Sequence, residues 1–423
     1  MISSTVLSQI LVKNRSLVES KKIFPREVSI GNFPRHMLVG VRGSGKSNLL
    51  YQKIQELLAT GKSWDDMLYL NFEDERLLGF DVTDFNQILT VHAQLTGKKT
   101  LPILFLDEIQ IIDGWEKFAR RMADAGAEIY ITGSNAKMLS VDVAAALGGR
   151  FLAINVFPMS FAEVLNAKEI RSQPSEISST VGSALIRREF DTYLRFGGFP
   201  ECLHLDEKTE YLNTLFQKIY LADIAMRKKI KNIYPLRIMI KKIAESIGQP
   251  LSYSRLTNII TSVGVKLSKV SCINYVQYAY DSFMLFPIHN IVGKLQDKET
   301  QPKIYFIDNG LIELLNSDPI ADQLENLVAL HLLRQYGIND AVFYYRRDAE
   351  VDFYVPETET AIQVCVRLDN DPKTLEREIN TFKNLTHELN IKRRLIITLD
   401  EEKVIVTKEG PVEVVSAWKW LLS

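Results

Sequence analysis

Residues 40–47 read Gly-Val-Arg-Gly-Ser-Gly-Lys-Ser and lie between a short apolar run and a stretch, residues 48–60, that favours a helix. This order fits the pattern G-x-x-x-x-G-K-[ST], which joins a strand to a helix in α/β sheets. Glycines let the loop wrap a pyrophosphate with its N–H groups pointing inward, and the helix N-terminus adds partial positive charge. We therefore predict a phosphate-binding loop formed by Gly40, Val41, Arg42, Gly43, Ser44, Gly45, Lys46, Ser47 and Asn48.

The second half of such a site is an apolar strand that ends in carboxylates. Residues 101–106, followed by Asp107 and Glu108, supply it. We expect Lys46 to hold the β- and γ-phosphates, and Ser47 and Asp107 to hold Mg²⁺, Asp107 through the water shell of the ion. Glu108 is expected to orient or deprotonate the attacking water. Two adjacent acids can also form a solvated turn, but the two halves together favour ATP or GTP binding.

Two further positions bear on hydrolysis. Ser134 lies just after the apolar run 129–131, so its hydroxyl can hydrogen-bond the water or the γ-phosphate. Arg150 follows two glycines and precedes another apolar run, which places it to reach the phosphate of a neighbouring subunit. The alternatives are a capped turn at Ser134 and a surface ion pair at Arg150.

Short β-rich runs alternate with helical stretches from about residue 35 to residue 156, which predicts a parallel sheet wrapped by helices. Each run is continuously apolar, as expected for strands covered on both faces. The strand candidates are residues 37–39, 67–70, 103–106, 129–131 and 151–154. We assign residues 1–159 to an α/β nucleotide-binding domain and residues 160–222 to a helical lid, interrupted by glycines and a proline at residues 195–200.

Residues 223–300 follow the order helix, helix, turn, helix, hairpin, which indicates a winged helix. They carry 12 Lys+Arg against 5 Asp+Glu, a net charge of +7 in a chain whose total is −1. A positive charge concentrated in one segment favours contact with the phosphate backbone of a nucleic acid, so DNA is the predicted partner. In the predicted recognition helix 268–280, Val270, Ile273 and Val276 are expected to face the core. Lys269, Ser271 and Asn274 are then expected to face a groove, although a protein-docking module or a solvated face would look similar.

After Pro302 the pattern returns to α/β, with strand candidates at residues 304–307, 342–345, 351–355, 361–366 and 395–398. These runs predict a second, separate sheet, and we assign residues 301–423 to a terminal α/β domain.

The motifs, in this order, resemble those of the AAA+ ATPases, and within them the prokaryotic ATPases that carry a C-terminal restriction-endonuclease-like domain. The resemblance covers nearly the whole chain and is carried by GVRGSGKS, YLNFED, FLDEIQ, YITGSN, LGGR, FPMSFAE, GGFPE, KIYFIDNGL, LENLV, EVDF and IQVC. It implies ATP rather than GTP, Mg²⁺ as the metal, and a homo-oligomeric ring or cluster such as a hexamer.

A restriction-endonuclease-like domain needs a helix Glu, a strand Asp and an acid-x-Lys on the next strand to hold metal ions and activate water. Glu325 in LENLV and Asp352 in EVDF match the first two. The third element reads Gln363-Val-Cys365, so the acid is an amide and the lysine a thiol. Gln363 can still bind Mg²⁺ through its carbonyl oxygen. Arg367, two residues after Cys365 and on the same strand face, is a candidate replacement for the lysine. The departures favour a degenerate domain retained for packing or DNA binding.

The composition of the chain bears on its cellular compartment and on whether it carries a membrane anchor, disulfides or a zinc site. No apolar run approaches about 18 residues, and the N-terminus lacks the features of a secretory signal, so we expect a cytoplasmic protein without a membrane anchor. The three cysteines are far apart and favour neither a disulfide framework nor a zinc ribbon. The leading hypothesis is an oligomeric ATPase that remodels or translocates on DNA. The alternatives are an ATP-controlled switch or scaffold and an ATP-regulated nuclease.

Overall fold

A computed structural model describes residues 2–294, 300–338, 340–347, 349–368, 372–385 and 388–423. The helices are α1 Ser4–Ser20, α2 Lys46–Ala59, α3 Phe85–Thr96, α4 Trp115–Asp124, α5 Val141–Leu147, α6 Phe161–Ala167, α7 Pro174–Ser178, α8 Thr180–Phe196, α9 Lys208–Gln217, α10 Tyr234–Ala244, α11 Tyr253–Ser262, α12 Lys269–Asp281, α13 Asn309–Leu315, α14 Ile320–Tyr336, α15 Pro372–Leu385 and α16 Ala417–Trp420. The strands are β1 Arg35–Val39, β2 Met67–Asn71, β3 Ile103–Asp107, β4 Ile129–Gly133, β5 Leu152–Asn155, β6 Leu285–Asn290, β7 Lys303–Phe306, β8 Phe343–Arg346, β9 Glu350–Val355, β10 Thr360–Val364, β11 Arg393–Thr398, β12 Lys403–Thr407 and β13 Gly410–Ser416. Within the described ranges, no helix combines the length and hydrophobicity required to cross a bilayer.

The chain forms two compact units. One comprises residues 1–157 and 281–283, and the other comprises residues 158–280 and 284–423. The first unit contains a five-stranded sheet in the order β2-β3-β4-β1-β5, in which every pairing is parallel. The predicted parallel sheet with covering helices is therefore confirmed.

Apolar packing explains four of these strands directly. The core of the first unit contains Leu38 of β1, Tyr69 of β2, Phe105 of β3 and Tyr130 of β4, which pack with residues of α2. The expectation of burial on both faces is wrong for β5, because this strand lies at the sheet edge and Leu152 is 50% exposed.

The sheet register brings the predicted site residues to one edge. Asn71 pairs with Asp107, and Val39 pairs with Gly133, so β1 to β4 end at nearly the same level. The phosphate-loop candidate, Glu108 and Ser134 follow directly after three of these ends. Ligands of open α/β sheets bind outside the carboxyl ends of the strands, which is where these residues lie.

The second unit contains helices and an eight-stranded sheet in the order β12-β13-β11-β10-β9-β8-β6-β7. β6 pairs with β7 in antiparallel orientation and with β8 in parallel orientation. The predicted boundary between residues 300 and 301 therefore falls inside one sheet, because the hairpin assigned to the basic segment is continuous with the terminal strands. The predicted boundary between residues 222 and 223 also lies within this unit, at a π-helix over Lys218–Met226.

The two helices predicted on either side of the turn in the basic segment form as α11 and α12. They are joined through Gly264, which has a φ of 82°. The predicted core face of α12 is wrong in part. Val276 is buried, but Val270 is 68% exposed and Ile273 is 37% exposed. Cys272, Val276 and Ala279 are the buried residues of α12, and they recur at the spacing of one helical face.

Two of the sequence motifs meet inside the second unit. Gly198 N and Gly310 N each donate a hydrogen bond to the Asp308 carboxylate, at 2.7 and 2.8 Å. Gly197 adopts φ 71° and ψ −159°, and a Cβ there would overlap the Asp308 carboxylate. The GGFPE and IDNG segments therefore pack against each other around the buried Asp308 carboxylate, and position 197 requires glycine.

Candidate functional site

The loop after β1 has the backbone of a phosphate cradle. Gly43 and Gly45 have φ values of 80° and 94°, which are left-handed conformations that favour glycine. A Cβ on Gly40 would overlap the carbonyl oxygen of Val156, so only glycine allows this close approach. The Ser44 hydroxyl is buried and, among the residues described, has no hydrogen-bond partner. The loop therefore fits the phosphate groups that its sequence predicts.

Lys46 begins α2 and is buried. Its ammonium donates hydrogen bonds to the carbonyl oxygens of Gly40 and Val41, both at 3.1 Å. It also lies 3.5 Å from Glu108 Oε1. The structure thus brings the predicted phosphate-binding lysine and the predicted catalytic glutamate into direct contact.

Asp107 ends β3 and is fully buried. Its carboxylate accepts hydrogen bonds from Tyr69 at 2.8 Å, from Thr132 at 2.5 Å and from the Ser47 hydroxyl. Burial and the neighbouring Glu108 charge raise the pKa of Asp107, and the three hydrogen bonds only partly oppose that rise. Ser47 and Asp107 therefore lie together, as expected of two groups that can hold Mg²⁺, and a cation there would favour the ionised carboxylate.

Glu108 occupies an unusual backbone conformation, with φ 54° and ψ 39°. Its N–H donates to Thr132 Oγ1 at 2.8 Å, which anchors this turn at the strand end. Burial opposes ionisation, but the Lys46 ammonium and the Gln110 amide lower the pKa of Glu108 below its ordinary value. The residue is therefore an ionised carboxylate at neutral pH. Left-handed non-glycine residues cluster at functional sites, which agrees with the predicted role.

Gln110 is a site residue that the sequence analysis did not single out. Its side-chain amide donates to Glu108 Oε2 at 2.5 Å and lies 3.4 Å from Ser134 Oγ. Gln110 Oε1 is buried and, within the described part of the chain, accepts no hydrogen bond. The only sequence signal was its place in FLDEIQ, two residues after the glutamate. A 3₁₀ turn over Ile109–Ile111 returns the side chain to the site.

The remaining predicted residues are close to this centre or at its margin. Ser134 is buried, and its hydroxyl hydrogen-bonds the Glu108 carboxylate. Arg42 pairs with Glu73 at 2.8 Å, and Asn48 is half-buried in the first turn of α2. Arg150 pairs with Asp124 at 2.6 Å and donates to Leu147 O at 3.2 Å. The ion-pair alternative for Arg150 thus holds within the chain, and its action on a neighbouring subunit stays a prediction.

The second predicted site lies in the terminal domain, where Lys303 Nζ lies between Glu325 and Asp352. Gln363 Oε1 accepts from Asp352 N at 2.9 Å, so the predicted ligand oxygen already has a protein donor. The suggestion that Arg367 replaces the missing lysine is wrong, because β10 ends at Val364 and Arg367 is exposed. In the ranges described, no group of three His, Cys, Asp or Glu side chains has the arrangement of a metal site.

Comparisons with known proteins identify a domain family in the first unit and two relatives of nearly the whole chain. A family model described as "AAA domain" matches residues 32–165, and one described as a domain of unknown function matches residues 187–319. The chain is 32% identical to an uncharacterized protein of Methanocaldococcus jannaschii over 439 aligned positions, covering 100% of this chain and 97% of that protein. It is 31% identical to an uncharacterized protein of Haemophilus influenzae, covering 91% and 94%.

Among solved structures, a Walker-type ATPase of Pyrococcus abyssi matches with 13% identity and a TM-score of 0.38, covering 74% of this chain and 96% of that one. The Orc1 protein of Aeropyrum pernix, solved in complex with DNA, matches with 13% identity and a TM-score of 0.29, covering 76% and 93%. At these TM-scores the structural matches carry no functional argument. The two relatives at 31–32% identity and the domain match carry the assignment: the chain belongs to the family of the M. jannaschii and H. influenzae proteins, and its N-terminal part is an AAA domain with a phosphate-binding loop.

Proposed function

We propose that this protein is a Mg²⁺-dependent ATPase whose catalytic base is Glu108. The observation that carries the proposal is the position of the Glu108 carboxylate, which is buried, ionised and held between the Lys46 ammonium and the Gln110 amide. Mg²⁺ would be held by Ser47 and Asp107, where it would neutralise charge on the phosphate oxygens.

The roles of the chain's own residues follow from this arrangement. Lys46 and the loop N–H groups bind the phosphates and stabilise the charge that develops on them. Water attacks the γ-phosphorus, the bond to the bridging β–γ oxygen breaks, and Glu108 accepts the proton of the water. Ser134 and Gln110 orient the carboxylate. The choice of ATP over GTP rests on the family resemblance.

We propose further that the protein acts as a homo-oligomer, with Arg150 reaching the phosphate of a neighbouring subunit. Support comes from a pocket of about 270 Å³ that is lined by Gln110, by three acids, Asp113, Glu116 and Asp142, and by one lysine, Lys137, so the acids outnumber the cations. A cationic side chain from a second copy would be favoured beside these acids.

Residues 223–300 are the proposed DNA-binding segment. Most of its basic side chains are exposed, namely Arg227, Lys229, Lys231, Arg237, Lys241, Arg255, Lys266, Lys269 and Lys294. Lysine and arginine side chains on one segment supply the phosphate contacts on which sequence-independent binding depends.

The exposed face of α12 adds groups that can contact bases. Asn274 and Gln277 are exposed next to Val270 and Ile273. Asn and Gln can pair with adenine edges, and apolar side chains can contact the thymine methyl group. This mixture supports α12 as the helix that enters a groove, and it gives the exposed Val270 a role that a solvated face would not.

A second candidate function is a nucleotide-controlled switch that hydrolyses ATP slowly. It is favoured by the direct contact between Lys46 and Glu108, because a base that is paired with the phosphate-binding lysine must be released before it can act. In this case, nucleotide would change the assembly of the protein while turnover stays low.

The test compares ATP turnover and oligomeric mass without DNA and with duplex, forked and single-stranded DNA at several salt concentrations. The leading proposal expects turnover that is stimulated by DNA and binding that weakens steeply with salt. If DNA does not stimulate turnover and no salt-sensitive binding is detected, the DNA part of the proposal is refuted. Nucleotide-dependent mass with low, DNA-independent turnover would support the switch instead. Glu108→Gln is the control that shows the turnover belongs to this site.

A further inference from the structure

Lys303 on β7 is fully buried, and its ammonium faces three carboxylates. Its Nζ lies 3.0 Å from Asp352 Oδ1, 3.3 Å from Glu350 Oε1 and 3.4 Å from Glu325 Oε1. The carboxylates come from helix α14 and strand β9, so two separate elements direct acids at the one cation on β7.

Glu325 and Asp352 are the side chains that the nuclease-like pattern would use to bind a divalent metal. We infer that Lys303 occupies the cation position of this centre, so that the terminal domain holds its acidic cluster with an internal ammonium and takes no divalent metal there. The residues present do not fit the metal that the resemblance implies.

Hydrogen bonds occupy much of the remaining acceptor capacity. Asp352 Oδ2 accepts from Val364 N at 2.9 Å, and Glu325 Oε1 accepts from Tyr305 at 2.7 Å. Gln363 donates its amide to Glu378 at 2.8 Å while its oxygen accepts from Asp352 N. Mg²⁺ demands near-octahedral oxygen coordination at about 2.0–2.1 Å. Here the oxygens are directed at protein donors at hydrogen-bond distances.

The electrostatics agree with a permanent ammonium. Burial would lower the pKa of Lys303, but Glu325, Asp352 and Glu350 raise it well above its ordinary value, so the side chain stays charged. Burial raises the pKa of Glu325, although Lys303 opposes that rise. A proton on Glu325 would relieve part of the excess negative charge around a single ammonium.

The basic segment also packs against one member of this cluster. Gly248, in the connection between α10 and α11, has a φ of 75°, and a Cβ there would overlap the Glu325 carboxylate. The polypeptide therefore packs directly against the Glu325 carboxylate. With Lys303 in the cation position, this centre does not perform metal-dependent DNA cleavage.

Removing the ammonium should free the position that a divalent cation would take, and the carboxylates can then turn toward such an ion. Lys303→Ala leaves three converging carboxylates and a small space, which are the groups that Mn²⁺ prefers. Lys303→Met removes the charge but fills the space, so it is the matched control. The double variant Lys303→Ala/Asp352→Asn lacks one of the three carboxylates.

The experiment titrates nucleotide-free protein with MnCl₂ and measures binding by calorimetry and the shift of Tm. We expect no Asp352-dependent binding in the wild type, new binding with a raised Tm in Lys303→Ala, and neither in Lys303→Met or the double variant. ATPase activity is not involved, so failure here leaves the proposed ATPase function unaffected.

Two outcomes would overturn the inference. One is Mn²⁺ binding by the wild type that disappears in Asp352→Asn, and the other is a folded Lys303→Ala protein that gains no Asp352-dependent binding. If Lys303→Ala does not fold without metal, refolding with MnCl₂ supports the inference and failure to refold counts against it. The comparison of wild type with Asp352→Asn remains decisive in that case.

Discussion

The side-chain amide of Gln110 donates a hydrogen bond to Glu108 Oε2 at 2.5 Å, while Lys46 lies 3.5 Å from the other oxygen, Oε1. Each oxygen of the carboxylate therefore has its own positive or donating neighbour. This arrangement fixes the orientation of the carboxylate and favours its ionised form. A general base must be ionised and oriented before it can accept a proton from water, and the contacts of Lys46 and Gln110 give Glu108 both properties that its proposed role requires.

Lys46→Ala and Glu108→Gln are expected to separate ATP binding from hydrolysis. The first removes the charge that holds the phosphates, so ATP affinity should fall at least tenfold, from the loss of charged hydrogen bonds of roughly 1.5–3 kcal/mol. The second keeps the shape of the side chain but removes its charge and one of its two acceptor oxygens, so it cannot take a proton and kcat should fall by about 10²–10⁴. ATP binding by calorimetry and phosphate release check both, and an unchanged rate in Glu108→Gln would refute the role of Glu108.

Gln110→Glu is expected to change the pH dependence of turnover. The Lys46 ammonium and the wild-type amide lower the pKa of Glu108, so the acid limb of the kcat profile should lie below the ordinary pKa of a glutamate. A carboxylate at position 110 would repel the Glu108 charge and raise its pKa, which moves the acid limb of the kcat profile to higher pH. Gln110→Ala, which adds no charge, should lower kcat with a smaller shift of the limb.

The pH–rate profile distinguishes this role from a merely structural one. A residue that only supports the fold would lower the rate by a similar factor at every pH. Equal loss across the pH range in Gln110→Glu, with no displacement of the acid limb, would therefore contradict a positioning role for Gln110.

Arg150→Ala is expected to complement Glu108→Gln when the two proteins are mixed. If Arg150 acts on the neighbouring subunit, a mixed oligomer contains interfaces with an intact glutamate on one side and an intact arginine on the other. Activity of the mixture should then exceed the sum of the separate proteins, measured by phosphate release. Asp124→Ala is the matched control, because it removes the intrachain partner of Arg150 but keeps the arginine. No complementation would leave Arg150 as a structural residue.

The phosphate loop and the strand-end acids were predictable because their information is local. A glycine-rich loop between a strand and a helix specifies its own geometry, and parallel strands bring their ends to one edge. Gln110 was harder to recognise. It is close to Glu108 in the chain, but only the left-handed backbone of Glu108 and the following 3₁₀ turn show that the two side chains meet.

Lys303 could not be assigned by the same reasoning. It is separated from Glu325 by 22 residues and from Asp352 by 49, and the contact depends on how β7 lies in the eight-stranded sheet. The core face of α12 was misassigned for a similar reason. A helix with apolar residues on more than one face does not reveal which face its tertiary neighbours cover.

Lys266→Glu/Lys269→Glu is expected to weaken duplex DNA binding in a salt-dependent way. Both lysines are exposed in the basic segment. Loss of two phosphate contacts should reduce the slope of log K against log salt by about 2. Lys21→Glu/Lys22→Glu makes the same change in net charge at exposed positions outside this segment, and it should leave binding nearly unchanged. Equal weakening by both pairs, measured by fluorescence anisotropy, would mean that only the total charge matters.

Gly197→Ala is expected to destabilise the second unit more than any surface glycine substitution. Gly197 lies in a backbone region that is essentially restricted to glycine, and the added Cβ would overlap the Asp308 carboxylate that accepts from Gly198 N and Gly310 N. The strain alone costs of order 1–3 kcal/mol, and displacing a buried, doubly bonded carboxylate adds to it.

Gly264→Ala is the matched control for this substitution. Its φ is 82°, but a Cβ there would meet nothing within 4 Å, so only the backbone strain of about 1–2 kcal/mol applies. Thermal unfolding should show a clearly larger fall in Tm for Gly197→Ala than for Gly264→Ala. An equal fall in Tm for both variants would show that the overlap with the Asp308 carboxylate costs nothing beyond the backbone strain. Because the change lies outside the AAA domain, ATP affinity at temperatures below unfolding should match that of the wild type.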